Sequence, residues 1–217
     1  MLDNIDNILF DLDGTLTDPK EGIVNSILYA LNKLGIHENY INELDTFIGP
    51  PLRDSFVKRY NLNDEVADNA MRYYREYFSA NGIYENKLYY GIDELLELLS
   101  SNTYQLFVAT SKPTVYAVEI LAHFKLKRYF KDTVGSYLDN TRTDKTGIIS
   151  HVVTTHNLLA SRSIMIGDRK HDIIGAKNNS MKSIGITYGY GSLQELLSCQ
   201  PDFIVNDCRE IGALFAK

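Results

Sequence analysis

The octapeptide Asp11-Leu12-Asp13-Gly14-Thr15-Leu16-Thr17-Asp18 follows directly on the apolar run Ile8-Leu9-Phe10. Two carboxylates spaced two residues apart leave an extended chain on the same side. Asp-Gly alone is a common turn pair. Two aspartates closing an apolar run, with Gly-Thr behind them, form a more specific pattern. Thr110-Ser111-Lys112 follows Leu106-Phe107-Val108-Ala109. A hydroxyl and the backbone N–H groups of a turn entering a helix make a phosphate cradle, although Ser and Thr are also ordinary helix caps. Lys145 stands in Arg142-Thr143-Asp144-Lys145-Thr146-Gly147; a lone lysine is usually a solvated charge, and this one gains weight only from its company. Gly167-Asp168-Arg169-Lys170-His171-Asp172 closes the run Ile164-Met165-Ile166. Asp172 lies four residues after Asp168, so the two share a face if a helix starts here. Hard carboxylate oxygens of this kind suit magnesium.

These groups need elements to position them. The runs before Asp11, Thr110 and Asp168 are short and nearly all apolar, as are Ile184-Gly185-Ile186 and Phe203-Ile204-Val205. They read as strands buried on both faces, the mark of a parallel sheet. Between them, Ile92, Leu95, Leu96 and Leu99 recur at helical spacing, and so do the apolar residues from Val115 to Phe124, with Pro113 suited to a first turn. Alternating strands and helices predict a layered α/β domain. Ligands of such sheets bind beyond the carboxyl ends of the strands, which is where the candidate residues fall.

Residues 18–85 break the alternation. Ile23, Ile27, Leu31 and Leu34 form one helical stripe, Phe56 and Val57 sit in a second after Pro50-Pro51, and Val66, Met71, Tyr74 and Phe78 fit a third. The spacing predicts an all-helical domain at 18–85, inserted into a core of 1–17 and 86–217, with linkers near Thr17–Pro19 and Tyr84–Leu88. The tyrosines of this segment read as packing.

Composition sets the outer bounds. A net charge of −6 over 217 residues argues against a nucleic acid polymer as partner, but not against a small phosphorylated molecule held in a local positive pocket. Cys199 and Cys208 show no metal-ligand spacing, which fits a reducing, cytoplasmic setting. Asp3, Asp6, Asp11 and Asp13 interrupt the N-terminal apolar residues, so no signal peptide is expected, and no run of 18 apolar residues predicts a membrane span. Oligomeric state is not legible.

Asp11 to Thr15 as D-x-D-G-T, Thr110 closing a strand, the lone Lys145 and the acidic Asp168/Asp172 pair resemble the motifs of haloacid dehalogenase-like hydrolases, in particular the phosphatases. The proline that often follows the lysine is Thr146 here. The resemblance covers essentially the whole chain and implies a Rossmann-like α/β/α core with a helical cap inserted after the first motif. It is closest to phosphoglycolate phosphatase-like enzymes. Phe47-Ile48-Gly49-Pro50-Pro51-Leu52-Arg53 and Gly189-Tyr190-Gly191 are similar to a branch of 5'-nucleotidases.

The resemblance implies Mg2+-dependent hydrolysis of a small phosphate monoester through an aspartyl-phosphate on Asp11, with Asp13 as acid and then base. It implies metal ligation by Asp11, Asp168 and the Asp13 carbonyl, with Asp172 supporting. It places Thr110, Ser111 and Gly14 at the phosphoryl group and Lys145 between Asp11 and the phosphate; His171 reads as a supporting or surface residue in preference to a catalytic one. Arg53 falls where the family places a substrate-selecting loop, and it reads equally as an exposed helix charge. Asp13 argues against a dehalogenase, and Ile23, where a mutase carries a cap histidine, weakens a mutase. Phosphoglycolate, nucleoside 5'-monophosphates, pyrophosphate and sugar phosphates all fit as substrates. A non-catalytic phosphate-binding regulator on the same fold is the reading from a different class.

Overall fold

The structure is a computed structural model and describes residues 2, 4–139 and 141–216. Asp3, one of the acids that interrupt the N-terminal apolar residues, lies outside them. The chain divides into two compact units: Met1–Asp18 with Leu88–Lys217, and Pro19–Lys87.

In chain order the elements are β1 (Asn7–Phe10), β2 (Thr17–Asp18), α1 (Lys20–Lys33), α2 (Leu52–Tyr60), α3 (Asp64–Tyr77), β3 (Lys87–Leu88), α4 (Ile92–Ser101), β4 (Gln105–Pro113), α5 (Thr114–His123), β5 (Phe130–Ser136), α6 (Lys145–Thr155), β6 (Ser163–Gly167), α7 (Lys170–Asn178), β7 (Lys182–Ile186), α8 (Leu193–Cys199), β8 (Phe203–Val205) and α9 (Cys208–Phe215).

The larger unit is built on a six-stranded sheet of order β5-β4-β1-β6-β7-β8. Every neighbouring pair runs parallel. β1 is central, with Leu9 facing Phe107 on one side and Met165 on the other. All four of its residues are buried, which is why it reads as an unbroken apolar run. Leu9, Phe107, Ala109, Val134 and Met165 pack against Ile148, Ile149 and Val152 of α6 and Ala176 of α7. α4 and α5 pack on β4, and α9 on β8 and α4, giving the three-layer arrangement. Asn7, the one polar residue of β1, donates to Ser163 Oγ at 3.1 Å.

The five apolar runs are strands, but β5 is not among them. Its outward half carries Lys131 and Asp132, and only Val134–Ser136 are buried, so an edge strand of this kind lacks the continuous apolar signature. Pro113 sits not in a helical turn but at the end of β4, immediately before α5, with ψ at 132°. Among the described residues no helix is long and apolar enough to cross a membrane.

The smaller unit is helical. α1 buries Ile23, Ile27, Ala30 and Leu31, and α3 buries Ala67, Ala70, Met71 and Tyr74; these faces pack on each other. Leu34, the last residue of the expected stripe, is the C-cap of α1. Phe47 meets Phe56 of α2 edge-on at 5.3 Å. Tyr74 packs on Phe78 at 5.5 Å, as expected, whereas Tyr40 and Tyr84 of this unit are exposed.

Leu9 is fully buried at the centre of the sheet. Leu9→Ala removes its packing on both helical neighbours and leaves a cavity, which costs about 2–5 kcal/mol. Urea unfolding followed by circular dichroism measures this; a loss below about 0.5 kcal/mol, the scale of surface substitutions, contradicts the packing described.

Candidate active site

Parallel strands all point their carboxyl ends the same way, so β1, β4 and β6 deliver their closing residues to one edge of the sheet. Asp11 directly follows β1, Thr110 lies in the carboxyl-terminal half of β4, and Asp168 directly follows β6. Asp168 precedes α7 rather than lying in it. Asp172 sits in the first turn of that helix, where its Oδ2 accepts from the Arg169 N–H at 3.0 Å. The two acids are therefore gathered by a strand end and a helix start, not by a shared helical face.

One carboxylate oxygen from each of Asp11, Asp168 and Asp172 lies within 4.8 Å of the others, and all three residues are buried. Asp168 Oδ2 accepts from the Tyr190 N–H at 2.7 Å, while its Oδ1 is buried with no hydrogen-bond partner. An orphaned buried carboxylate oxygen is costly. A divalent cation with oxygen ligands at about 2.1–2.4 Å spans a triad of this size and satisfies it, so the residues fit a hard divalent ion.

Lys145 pairs with two of these acids. Its Nζ lies 2.8 Å from both Asp11 Oδ1 and Asp172 Oδ1 and donates to the Ala109 carbonyl at 3.0 Å. It opens α6 behind the N-cap Asp144, whose side chain accepts from Gly147 N. A cation at a helix N-terminus opposes the dipole, and the two carboxylates offset that cost. Burial pulls the Lys145 ammonium down, but the charges of Asp11 and Asp172 overcome it and hold it above the ordinary lysine value.

Gly14 closes the approach. It has φ of +87°, and a Cβ there would lie 2.3 Å from Asp168 Oδ2, so only glycine brings the Asp13 turn against the acidic cluster. Thr110 is buried and its Oγ1 accepts from the Lys112 N–H at 3.3 Å; Ser111 Oγ donates to the Thr143 carbonyl at 3.3 Å. His171 is half-buried at the start of α7, and burial lowers its affinity for a proton. Arg53 belongs to the helical unit. From α2 its guanidinium reaches α3, with Nε 2.9 Å from Asp68 and Nη2 2.8 Å from Asp64.

Two parts of the site went unread in the sequence. Lys112 Nζ is 2.5 Å from Asp13 Oδ2; its signal was its place beside the Thr110 cradle, but lysine at a strand end is usually solvated. The loop after β7 sends the Tyr188 hydroxyl to the Thr15 carbonyl at 3.0 Å and the Tyr190 hydroxyl to Asp18. Only the Gly189-Tyr190-Gly191 pattern pointed there.

With all four aspartates ionised, Asp11, Asp13, Asp168 and Asp172 face two ammonium groups, Lys112 and Lys145, and two negative charges remain in excess. The pKa directions register that excess. Burial first, then the charges of Asp172 and Asp11, push Asp168 up to about 8. Burial pushes Asp172 up to about 6 against the pull of Lys145. Burial also raises Asp13, with Lys112 opposing.

A carboxyl raised in the folded state binds more protons folded than unfolded, so stability falls as pH rises from the unfolded value near 4 toward the folded one. The cation-free protein therefore loses thermal stability between about pH 4 and 8, the window set by Asp168. A divalent cation competes with those protons. An added divalent cation is expected to raise Tm more at pH 8 than at pH 5.5, by scanning calorimetry; a shift independent of pH contradicts the cluster's excess charge.

The comparisons with known proteins agree with this geometry. Residues 8–186 match the family model described as "Haloacid dehalogenase-like hydrolase". A "5'-nucleotidase" of Pseudomonas aeruginosa is 48% identical, over 96% of this chain and 93% of its own. A "Phosphoglycolate phosphatase" of Vibrio parahaemolyticus is 28% identical, over 94% and 93%. The crystal structure of a "predicted phosphatase" from Clostridium acetobutylicum superposes with a TM-score of 0.93 at 47% identity, over 97% of this chain and 98% of that one. Sheet, acidic cluster and relatives converge on one assignment: the chain belongs to the haloacid dehalogenase-like hydrolases and is a phosphoric monoester hydrolase of that family.

Proposed function

We propose that the chain is a Mg2+-dependent phosphatase that works through an aspartyl-phosphate on Asp11 and takes a nucleoside 5'-monophosphate as its substrate. The observation that carries the chemistry is the buried cluster of Asp11, Asp168 and Asp172, with their oxygens within 4.8 Å and Lys145 against two of them.

Asp11, Asp168 and Asp172 would hold the ion, with Asp13 contributing from the adjoining turn. Bound there, Mg2+ supplies neutralisation of the phosphoryl charge that otherwise repels a carboxylate nucleophile. Asp11 attacks phosphorus in line; the P–O bond to the leaving group breaks, and the leaving oxygen takes a proton from Asp13. Asp13, now a carboxylate, then takes a proton from the water that attacks the acyl phosphate, which frees Asp11 and releases inorganic phosphate. Lys145 orients Asp11 through the 2.8 Å ion pair. Thr110, the Ser111 N–H and the Gly14 turn hold the phosphoryl oxygens.

The substrate order follows the identities. Phosphoglycolate led on sequence motifs, but the relative named a 5'-nucleotidase is 48% identical and the one named a phosphoglycolate phosphatase 28%. Phosphoglycolate is the second reading. We assign the helical unit Pro19–Lys87 the role of a cap that selects the substrate. Arg53 is then a brace between α2 and α3 as much as a substrate contact, because Asp64 and Asp68 already use its donors. Cytoplasmic location accords with two unpaired cysteines.

Phosphate release from a panel of nucleoside 5'-monophosphates, phosphoglycolate, pyrophosphate and sugar phosphates tests the proposal. The expected result is the highest kcat/KM on a nucleotide, loss of activity on chelation with recovery on adding Mg2+, and none above background in Asp11→Asn. Full activity in Asp11→Asn sinks the mechanism. Preference for phosphoglycolate overturns the substrate and leaves the mechanism standing.

A further inference from the structure

Lys112 is a buried charge that the catalytic scheme above leaves without a task. We propose that it is a positioning residue for Asp13, fixing that carboxylate by one oxygen so that the other faces the leaving group. The proposal rests on the reading of Asp13 as the acid–base group.

The first observation is in the backbone. β4 and β5 slip register once between Leu106 and Phe107, pair in step from Phe107↔Asp132 to Ala109↔Val134, and slip again before Pro113↔Ser136. Thr110, Ser111 and Lys112 therefore bulge from the ladder. Bulges re-aim side chains and occur beside active sites. This one is tied down: Ser136 Oγ donates to the Ser111 carbonyl at 2.9 Å, and Ser111 Oγ donates to the Thr143 carbonyl at 3.3 Å. β5 closes on it through Gly135, where a Cβ would lie 2.1 Å from the Lys112 carbonyl oxygen. The direction of the Lys112 side chain is thus set by the fold.

The second observation is where that side chain goes. It is only 6% exposed, and its Nζ lies 2.5 Å from Asp13 Oδ2. Burying an ammonium is unfavourable unless it is paired, and a lysine at a strand end has solvent close by. Asp13 Oδ1, in contrast, is buried with no hydrogen-bond partner. One oxygen of Asp13 is anchored and the other is left open.

The third is the division between the two lysines. Lys145 pairs with Asp11 and Asp172, Lys112 with Asp13. Each carboxylate with a part in bond making thus has its own ammonium. In the transfer step the electron pair of the breaking P–O bond goes to the leaving oxygen, and the proton on Asp13 Oδ1 passes to that oxygen. The ammonium at Oδ2 holds the rotamer while this happens. It also balances the carboxylate that results.

A leaving group that needs no proton reveals the role. An aryl phosphate such as p-nitrophenyl phosphate departs as a stable anion, whereas the alkoxide of a nucleoside 5'-monophosphate must be protonated. kcat/KM reports the first phosphoryl transfer in both cases. Lys112→Met keeps the length and packing of the stem and removes the charge. We expect it to lower kcat/KM on adenosine 5'-monophosphate by roughly 10–100-fold more than on p-nitrophenyl phosphate, a part of the roughly 10²–10⁴-fold that general acid catalysis contributes. Lys112→Gln, which restores a donor, should recover part of the difference.

Equal losses on the two substrates in both variants overturn the proposal, including the case in which both variants are simply inactive. So does an unchanged ratio with a lowered Tm, which would mark Lys112 as structural. Asp11→Asn run in parallel separates the two levels: activity in that variant fails the aspartyl-phosphate reading, whereas an inactive Asp11→Asn with equal losses at Lys112 fails this inference alone.

Discussion

Like charges packed out of water govern this molecule. Four aspartates share a pocket with two lysines, and three of the acids lie almost wholly inside the protein. Repulsion of that kind at short range is strong where the effective dielectric is low. It is tolerated because Lys112 and Lys145 offset part of the charge and because the excess corresponds to one divalent ion. The orientation of α6, the tight turn at Gly14 and the loop carrying Tyr190 make sense as means to hold those charges close. None is favourable alone: a lysine opens a helix, a glycine takes a left-handed backbone, and a tyrosine N–H is spent on a carboxylate.

The sheet is what makes such crowding affordable. Strands that run parallel present all their carboxyl ends at one edge, so residues far apart in the chain meet without any loop having to reach for them. The interior below that edge is apolar and closely filled, from Leu9 to Ile149 and Met165, and close packing resists the relaxation that repulsion would otherwise drive.

The sequence showed the parts of this that obey simple periodicity or adjacency. Strands buried on both faces are continuous apolar runs, so β1, β4, β6, β7 and β8 were legible, and Asp11, Thr110 and Asp168 could be found as the residues that end them. The helical insertion was legible in the 3.6-residue stripes of α1 and α3. What escaped depends on three-dimensional neighbours. β5 is half-exposed and charged at its start, so it has no one-dimensional signature. Lys112 looks like any lysine until the bulge in β4 turns it inward. The pairing of Asp168 with Asp172 was anticipated on a shared helix face, but one acid lies before the helix and the other inside it, a difference of one turn that residue spacing does not resolve. Arg53 drew attention from its loop, yet its partners Asp64 and Asp68 lie on a different helix.

The position of β1 at the middle of the sheet also shapes how the chain must acquire its structure. It precedes the other five strands of the sheet in chain order, and its neighbours come far later: Asn7 lies beside Gln105 in β4 and bonds Ser163, 156 positions away. Pairings this distant in sequence must close long loops before they gain any stabilising contact, which makes assembly slow. During synthesis the Asn7–Phe10 segment, wholly apolar but for one residue, waits unpaired until β4 and then β6 emerge. The same strand that later carries Asp11 to the heart of the site is thus the segment with the longest exposure to wrong partners, and a dependence on chaperones in early folding would originate there.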